Sequence, residues 1–425
     1  MAPWGYALAG DASYDERVGS ATQTPSRVPH LDVLRGVAIL GILLMNIQSF
    51  GLVSSAYANP KALGDPPAID WLVWILNHVV ADEKFLSMLT ILFGAGFLLM
   101  AQGARGTERD FDDRFRRRMA WLFLFGAAHA LLIWPGDILA AYAVCGLIII
   151  RFRHWSNADL LALAALLFAI VMILWMAATA VLVFFMPSDY LQQLVSVYWS
   201  PSAEVVAEEV ERLTHNWVYA FGDRALNAIG AQLWMFGSDR VWRMTALMLL
   251  GMVLLRTGFL TGEWSTRAYR LVAVIGLAIG VPLALLGVWF NEAVGWDFRY
   301  AMFLGRIANH WGSVAVALAW IALVLMLVNS GALRAVQHAL ASVGRLAMTN
   351  YLGQSFISAG IFYGFGLGLF AQLGHARLVA VVVLIWAFQI AFSLLWRRYL
   401  GQGPFERLWR WLATPRAPAT EGGGR

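Results

Sequence analysis

Residues 159–186 read DLLALAALLFAIVMILWMAATAVLVFFM. Beyond Asp159 the stretch holds no ionisable side chain. A helix crossing hydrocarbon needs about 20 apolar residues, because each adds roughly 1.5 Å. This run exceeds that length and crosses with a tilt. Water cannot solvate such a segment and a bilayer can, so the run decides the fold class: all-α, a polytopic integral membrane protein.

Nine more runs share the pattern, at about 33–52, 84–102, 117–134, 137–151, 241–256, 269–290, 310–329, 345–370 and 377–400. The expectation is a bundle of ten transmembrane helices. Residues 117–134 and 137–151 are short runs split by Pro135-Gly136, which predicts a tight helical hairpin. Pro282 interrupts the run at 269–290. Composition agrees with the class. The 425 residues are 60% hydrophobic and 13% charged, where soluble chains carry about 25% charged residues. The 20 Trp residues suit membrane interfaces.

The single Cys145 excludes a disulfide framework and a multi-cysteine metal site. A net charge of +5, almost all of it arginine, would raise nucleic acid as a partner in a soluble protein. Here the basic runs lie between apolar runs, so they read as topology and no nucleic acid is expected. Alternate connections hold Arg105, Arg109, Arg114, Arg116, Arg117 and Arg118, then Arg151 and Arg153, then Arg256, Arg267 and Arg270, then Arg334 and Arg345. The positive-inside rule puts these connections and both termini in the cytoplasm, with the bundle in a bacterial-type inner membrane.

Residues 1–30 are expected to form a disordered cytoplasmic tail with no apolar stretch resembling a signal peptide. Residues 31–412 form one transmembrane domain, and 413–425 a second tail. Within that domain 187–240 reads as an external segment of amphipathic helices, with Glu204, Glu208, Glu209 and Glu211 between Trp199 and Trp217. Residues 404–412 read as an amphipathic anchor on the inner leaflet, Glu406 pairing with Arg410.

Ionisable groups inside spans are expensive and become candidates for function. Asp32 and Arg35 share a face of the first span, and Asn46 lies eleven residues beyond Arg35 on the same side. They read either as a cap and a snorkelling arginine or as a polar stripe that holds an anion. Lys84, at the mouth of the second span, reads as an interface anchor or as part of a site. Gly94 and Gly96 read as small residues for close helix packing.

His129 and Asp137 flank the hairpin tip. A carboxylate beside an imidazole fixes its tautomer and raises its basicity. The plainer reading is a buried histidine and an ordinary helix cap. Asn350, Gln354 and Ser358 recur every fourth residue, and Gln389 and Ser393 face one way on the last span. These stripes are either interhelical glue or the wall of a wet cavity. The remaining histidines, His78 and His310 among them, lie near loops or interfaces and make no metal-like cluster, so no metal is expected.

Several blocks carry a resemblance: Leu31-Asp32-Val33-Leu34-Arg35-Gly36, Lys84-Phe85 with Leu92-Phe93-Gly94-Ala95-Gly96, His129 to Leu139, Gly344 to Ser355, and Gly403-Pro404-Phe405-Glu406. Their order over about 31–412 resembles the YeiB-like membrane proteins, which carry a domain of unknown function numbered 418. The Leu-Asp-x-x-Arg-Gly opening is also similar to transmembrane acyltransferases of the heparan-glucosaminide N-acetyltransferase type. That resemblance implies transfer of an acyl group, such as acetyl, from cytoplasmic acyl-CoA to an acceptor at the outer face. It implies a central histidine too, which in that type lies between the first two spans. The histidine in that interval here is His78, while His129 fits the YeiB-like pattern.

On this reading His129 and Asp137 are catalytic. Arg35 and the Arg114–Arg118 cluster take the acyl-CoA phosphates, while Asp32, Asn46, Lys84, Asn350 and Gln354 line the substrate path. Membrane lipids surround the bundle, and a homo-oligomer is compatible with it. The competing readings are a transporter or flippase for a lipid or small solute, and a silent scaffold.

Overall fold

The computed structural model describes residues 29–104, 106–215, 221–237 and 239–414. The tails expected at 1–30 and 413–425 lie almost wholly outside them. Among the described residues there is no strand.

Helix α1 (Pro29–Gly51) is followed by a short α2 (Ser54–Ala58), α3 (Ala68–Val80) and α4 (Lys84–Gln102). The hairpin is α5 (Glu108–Leu132) and α6 (Leu139–Ile149). Then come α7 (Asn157–Phe184) and three helices in the acidic segment, α8 (Ser188–Tyr198), α9 (Ala203–Thr214) and α10 (Phe221–Gly237). The second half runs through α11 (Arg240–Arg256), α12 (Thr266–Ala293), α13 (Phe298–Ala301) and α14 (Leu304–Asn329). It closes with α15 (Arg334–Arg345), α16 (Ala347–Phe362), α17 (His375–Tyr399) and α18 (Pro404–Ala413).

Local chemistry sets many of these ends. Thr107 and Asp110 form a reciprocal capping box at the start of α5. Ser156, Ser202 and Ser265 accept a backbone N–H at the starts of α7, α9 and α12. Pro282 lies inside α12 without ending it, contrary to the expected interruption. Glu406 does not pair with Arg410. It accepts from the backbone N–H and hydroxyl of Thr349, supplying a partner that the first turn of α16 lacks.

Six segments have the length and apolar character for crossing a bilayer: Pro29–Gly51, Ala68–Gln102, Asn157–Phe184, Thr266–Ala293, Phe298–Asn329 and His375–Tyr399. Every one of the ten runs contains a helix, but ten crossings do not follow. Apolar runs overshoot helix ends: the run to 370 leaves the helix at Tyr363, so α16 has 16 residues. Helix α6 has 11 residues, α11 has 17, and α5 opens on Glu108-Arg109-Asp110.

Packing relies on glycines where backbones touch. A Cβ at Gly36 would fall 2.0 Å from the Leu340 carbonyl oxygen, and one at Gly344 would fall 1.9 Å from that of Asp32, so α1 and α15 meet backbone to backbone. Gly94 and Gly251 do the same for α4 and α11. Outward faces are apolar: Leu166 and Ile173 on α7, Leu271 and Val274 on α12, and Leu384 on α17 are exposed. That is the inverse of a soluble surface and fits lipid.

Candidate functional site

The hairpin tip is held by aromatic residues. Trp134 donates from Nε1 to Ser49 Oγ at 3.0 Å and stacks on Phe50 with ring centroids 4.8 Å apart. These contacts pin the tip to the end of α1 remote from Asp32. Gln232 on α10 donates to the Pro135 carbonyl at 2.8 Å.

Beneath this plug, His129 Nδ1 lies 2.8 Å from Asp137 Oδ2. His129 is 4% exposed and Asp137 0%. The other carboxylate oxygen accepts the Ala140 backbone N–H at 3.0 Å, at the start of α6. Asp137 therefore caps a helix and orients the imidazole at once, one oxygen for each task. Gly126 makes room for it, since a Cβ there would sit 2.5 Å from Oδ1. With the Nδ1 proton given to Asp137, Nε2 keeps its lone pair, and this buried atom has no hydrogen-bond partner. The Tyr351 ring lies 5.5 Å from the imidazole, and its hydroxyl accepts the Ile138 N–H at 3.2 Å.

The other expected site residues lie elsewhere. Asp32 joins Arg35 at 3.0 Å and Arg345 at 2.8 Å. This cluster lies at the opposite end of α1 from Ser49, about 25 Å away along the helix. Asn46 is half-buried on α1 between the two. Gln354 donates to the Ile39 carbonyl at 2.8 Å and to Gln389 Oε1 at 3.0 Å. Gln389 donates onward to the Asn350 carbonyl at 2.9 Å, and Asn350 to Ser393 Oγ at 3.0 Å. The amide stripes thus close on each other and on helix backbones, as glue between α1, α16 and α17. Gln354 Oε1 and Ser358 Oγ, in the same stripe, are buried and have no hydrogen-bond partner.

Lys84 is not an interface anchor. It is fully buried, donating to the His78 carbonyl at 2.5 Å and to Asn309 Oδ1 at 2.6 Å. Its neighbour Glu83 sits 3.1 Å from Arg240 and 3.5 Å from Arg243. Arg243 donates to Ser87 and Ser313, each at 2.8 Å, and lies 3.2 Å from His310 Nδ1. His78 pairs with Asp82 at 3.0 Å. Burial raises the Tyr57 phenol pKa above its ordinary value; Asp82 and Glu83 add to that, while Arg240 and Arg306 oppose it.

Two apolar-walled cavities carry arginines. One, of about 340 Å³, is lined by Met100, Ala104, Phe111, Arg114, Phe115 and Arg118. The other, of about 430 Å³, includes Arg116 and Arg151. Trp409 of α18 covers Arg118, with the guanidinium 4.3 Å from its ring, and donates to the Arg118 carbonyl at 2.9 Å.

Residues 254–416 match the family described as "Protein of unknown function (DUF418)". The Uncharacterized protein YeiB of Escherichia coli (strain K12) is 35% identical over 383 residues, covering 90% of this chain and 95% of that protein. The Uncharacterized protein YxaH of Bacillus subtilis (strain 168) is 30% identical over 412 residues, covering 92% and 94%. The chain belongs to the YeiB-like DUF418 family.

The family match covers the end of α11 and all of α12 to α18, whereas the His129 dyad of this YeiB-like chain lies outside it. Sequence reading missed Tyr351, Arg345, His78 and His310 as members of polar centres. Tyr351 sat inside a stripe read by its amides, and no local spacing ties it to His129. His310 is 1% exposed and stacks on Phe168 with ring centroids 3.8 Å apart. Its position inside an apolar run was the signal available.

Proposed function

We propose that the chain is a membrane acyltransferase, passing an acyl group from cytoplasmic acyl-CoA to an acceptor, with His129 as the reacting base. The observation that carries this reading is the open Nε2 of a buried imidazole whose Nδ1 is held by a buried carboxylate. That arrangement suits proton abstraction from an acceptor hydroxyl or amine. The proton moves to Nε2 as the acceptor attacks the thioester carbonyl, the C–S bond breaks, and the thiolate leaves.

The arginine cavity on the same helix supplies donors for phosphate oxygens. Arg118 and His129 are eleven residues apart on α5, about 16 Å, which an extended thioester arm bridges. We assign Arg114 and Arg118 to the phosphates in preference to Arg35, which lies beside Asp32. Purified protein given labelled acetyl-CoA and candidate acceptors should show turnover that falls at least about 100-fold in His129→Ala and Asp137→Asn. Equal turnover in all three proteins would sink the assignment.

The buried ionic cluster around Lys84 favours a second reading, a transporter, since intramembrane charges also mark solute paths. Substrate flux in proteoliposomes without acyl-CoA would select it.

We also propose ten crossings with both termini cytoplasmic and the acidic helices α8 to α10 external. The arginine asymmetry between alternate connections supports this topology. A reporter fused after Arg425 should be read from the cytoplasmic side; an outer-side signal would overturn it.

A further inference from the structure

Where α1 stops and α4, α11 and α14 begin, charged side chains crowd together without pairing off evenly. The cations are Lys84, Arg240, Arg243 and, within electrostatic range of Asp82, Arg306. The carboxylates are Asp82, Glu83 and Asp239, so among the described residues four Lys and Arg side chains face three carboxylates. Asp82 is engaged by His78 and by Asn309, the latter at 3.1 Å. Lys84 touches two neutral carbonyl oxygens. A buried ammonium without a carboxylate contact is costly and persists where something else is gained.

Glu83 is the odd member. Its backbone has φ 63° and ψ −13°, the left-handed region. A side chain there is strained, and such strain gathers at ligand clamps and switches. Its carboxylate reaches two guanidiniums from one side, and Oε2 makes no hydrogen bond of its own. A settled Arg–carboxylate pair is bidentate and short. The contact to Arg243 is 3.5 Å. The cluster reaches the surface, for the Arg240 side chain is 19% exposed and that of Asp82 18%.

We propose that Lys84, Arg240 and Arg243 form a binding site for a small monocarboxylate, and that Glu83 fills the anion's place in its absence. The incoming carboxylate takes the two guanidiniums and the Lys84 ammonium, and Glu83 turns outward. A carboxylate suits the site because the group resident at the two guanidiniums is itself a carboxylate. The site does not depend on acyl transfer, because what it predicts is binding.

The test uses full-length protein in nanodiscs, titrated with acetate, benzoate and inorganic phosphate, with chloride as the ionic-strength control. Thermal midpoint and calorimetric heat are the readouts. Wild type should show a saturable response to acetate or benzoate and none to chloride. Glu83→Gln removes the competing charge and should bind about tenfold tighter, a change of about 1.4 kcal/mol. Arg243→Met should abolish the response; if that protein does not fold, Arg240→Gln carries the same expectation at a more exposed position. Absence of saturable binding in both wild type and Glu83→Gln overturns the site. Binding of Glu83→Gln no tighter than wild type overturns the placeholder role. Phosphate binding tighter than either carboxylate overturns the ligand class.

Discussion

The amide ladder between α16 and α17 and the imidazole at the α5–α6 tip are both polar, buried and next to Tyr351, the ladder along the chain and the imidazole across a 5.5 Å ring contact, yet their hydrogen bonds are spent differently. In the ladder, Asn350, Gln354, Gln389 and Ser393 spend their donors on one another and on the Ile39 and Val343 carbonyls. At the tip, Asp137 uses both oxygens while His129 keeps one nitrogen open. Interlocked amide donors rigidify a seam, even with Gln354 Oε1 left without a donor. A half-satisfied base, costly to bury, keeps capacity for a proton. On the proposed function, the contrast between placed amide donors and an open basic nitrogen separates architecture from chemistry.

If the α1 seam is architecture, damage there must appear as lost stability. Gly344→Val is the strongest blow. Its Cβ would meet the Asp32 carbonyl oxygen at 1.9 Å and the Gly36 nitrogen at 2.7 Å, both backbone atoms that cannot swing away. The α1–α15 contact and the Asp32–Arg345 pair separate together, at an expected cost of about 3 kcal/mol or more. Thermal unfolding in detergent measures it. The matched control is Gly353→Ala on α16, where nothing lies within 4 Å of the new Cβ. Helix propensity should make that change neutral or stabilising by about 0.5–1 kcal/mol. Equal midpoints for the two variants would remove the seam from the architecture.

The helical class was legible because hydrocarbon imposes length and polarity rules that a single run reveals. The hairpin was legible from Pro135-Gly136, and the partnership of His129 with Asp137 from eight residues of separation across it. Long-range partners were not. Asp32 finds Arg345 across 313 positions, and Lys84 finds Asn309 across 225. No periodicity encodes which helix lies beside which. Lys84 was misplaced for the same reason: a lysine at a helix mouth snorkels when lipid or water surrounds it, and here α14 closes over it. The amide stripes showed their spacing but not their partners, which depend on rotamers facing a neighbouring helix.

The gentlest test bears directly on the contrast. Gln389→Met keeps volume and apolar fit while removing one rung. Gln389 is 2% exposed, accepts from Gln354 at 3.0 Å and donates to Asn350 at 2.9 Å. Gln354 retains its bond to the Ile39 carbonyl, so one partner is not stranded. Interhelical hydrogen bonds within membranes contribute about 0.6 kcal/mol each, up to roughly 1.7. Loss of the rung should therefore lower stability by about 1 kcal/mol. Turnover per folded molecule in the acetyl-CoA assay should stay at the wild-type level, because the ladder positions helices and touches no reacting atom. A stable Gln389→Met protein with turnover reduced as far as in Asp137→Asn would reverse the assignment. The amides would then belong to the chemistry, and the placing of their donors would no longer distinguish the two regions.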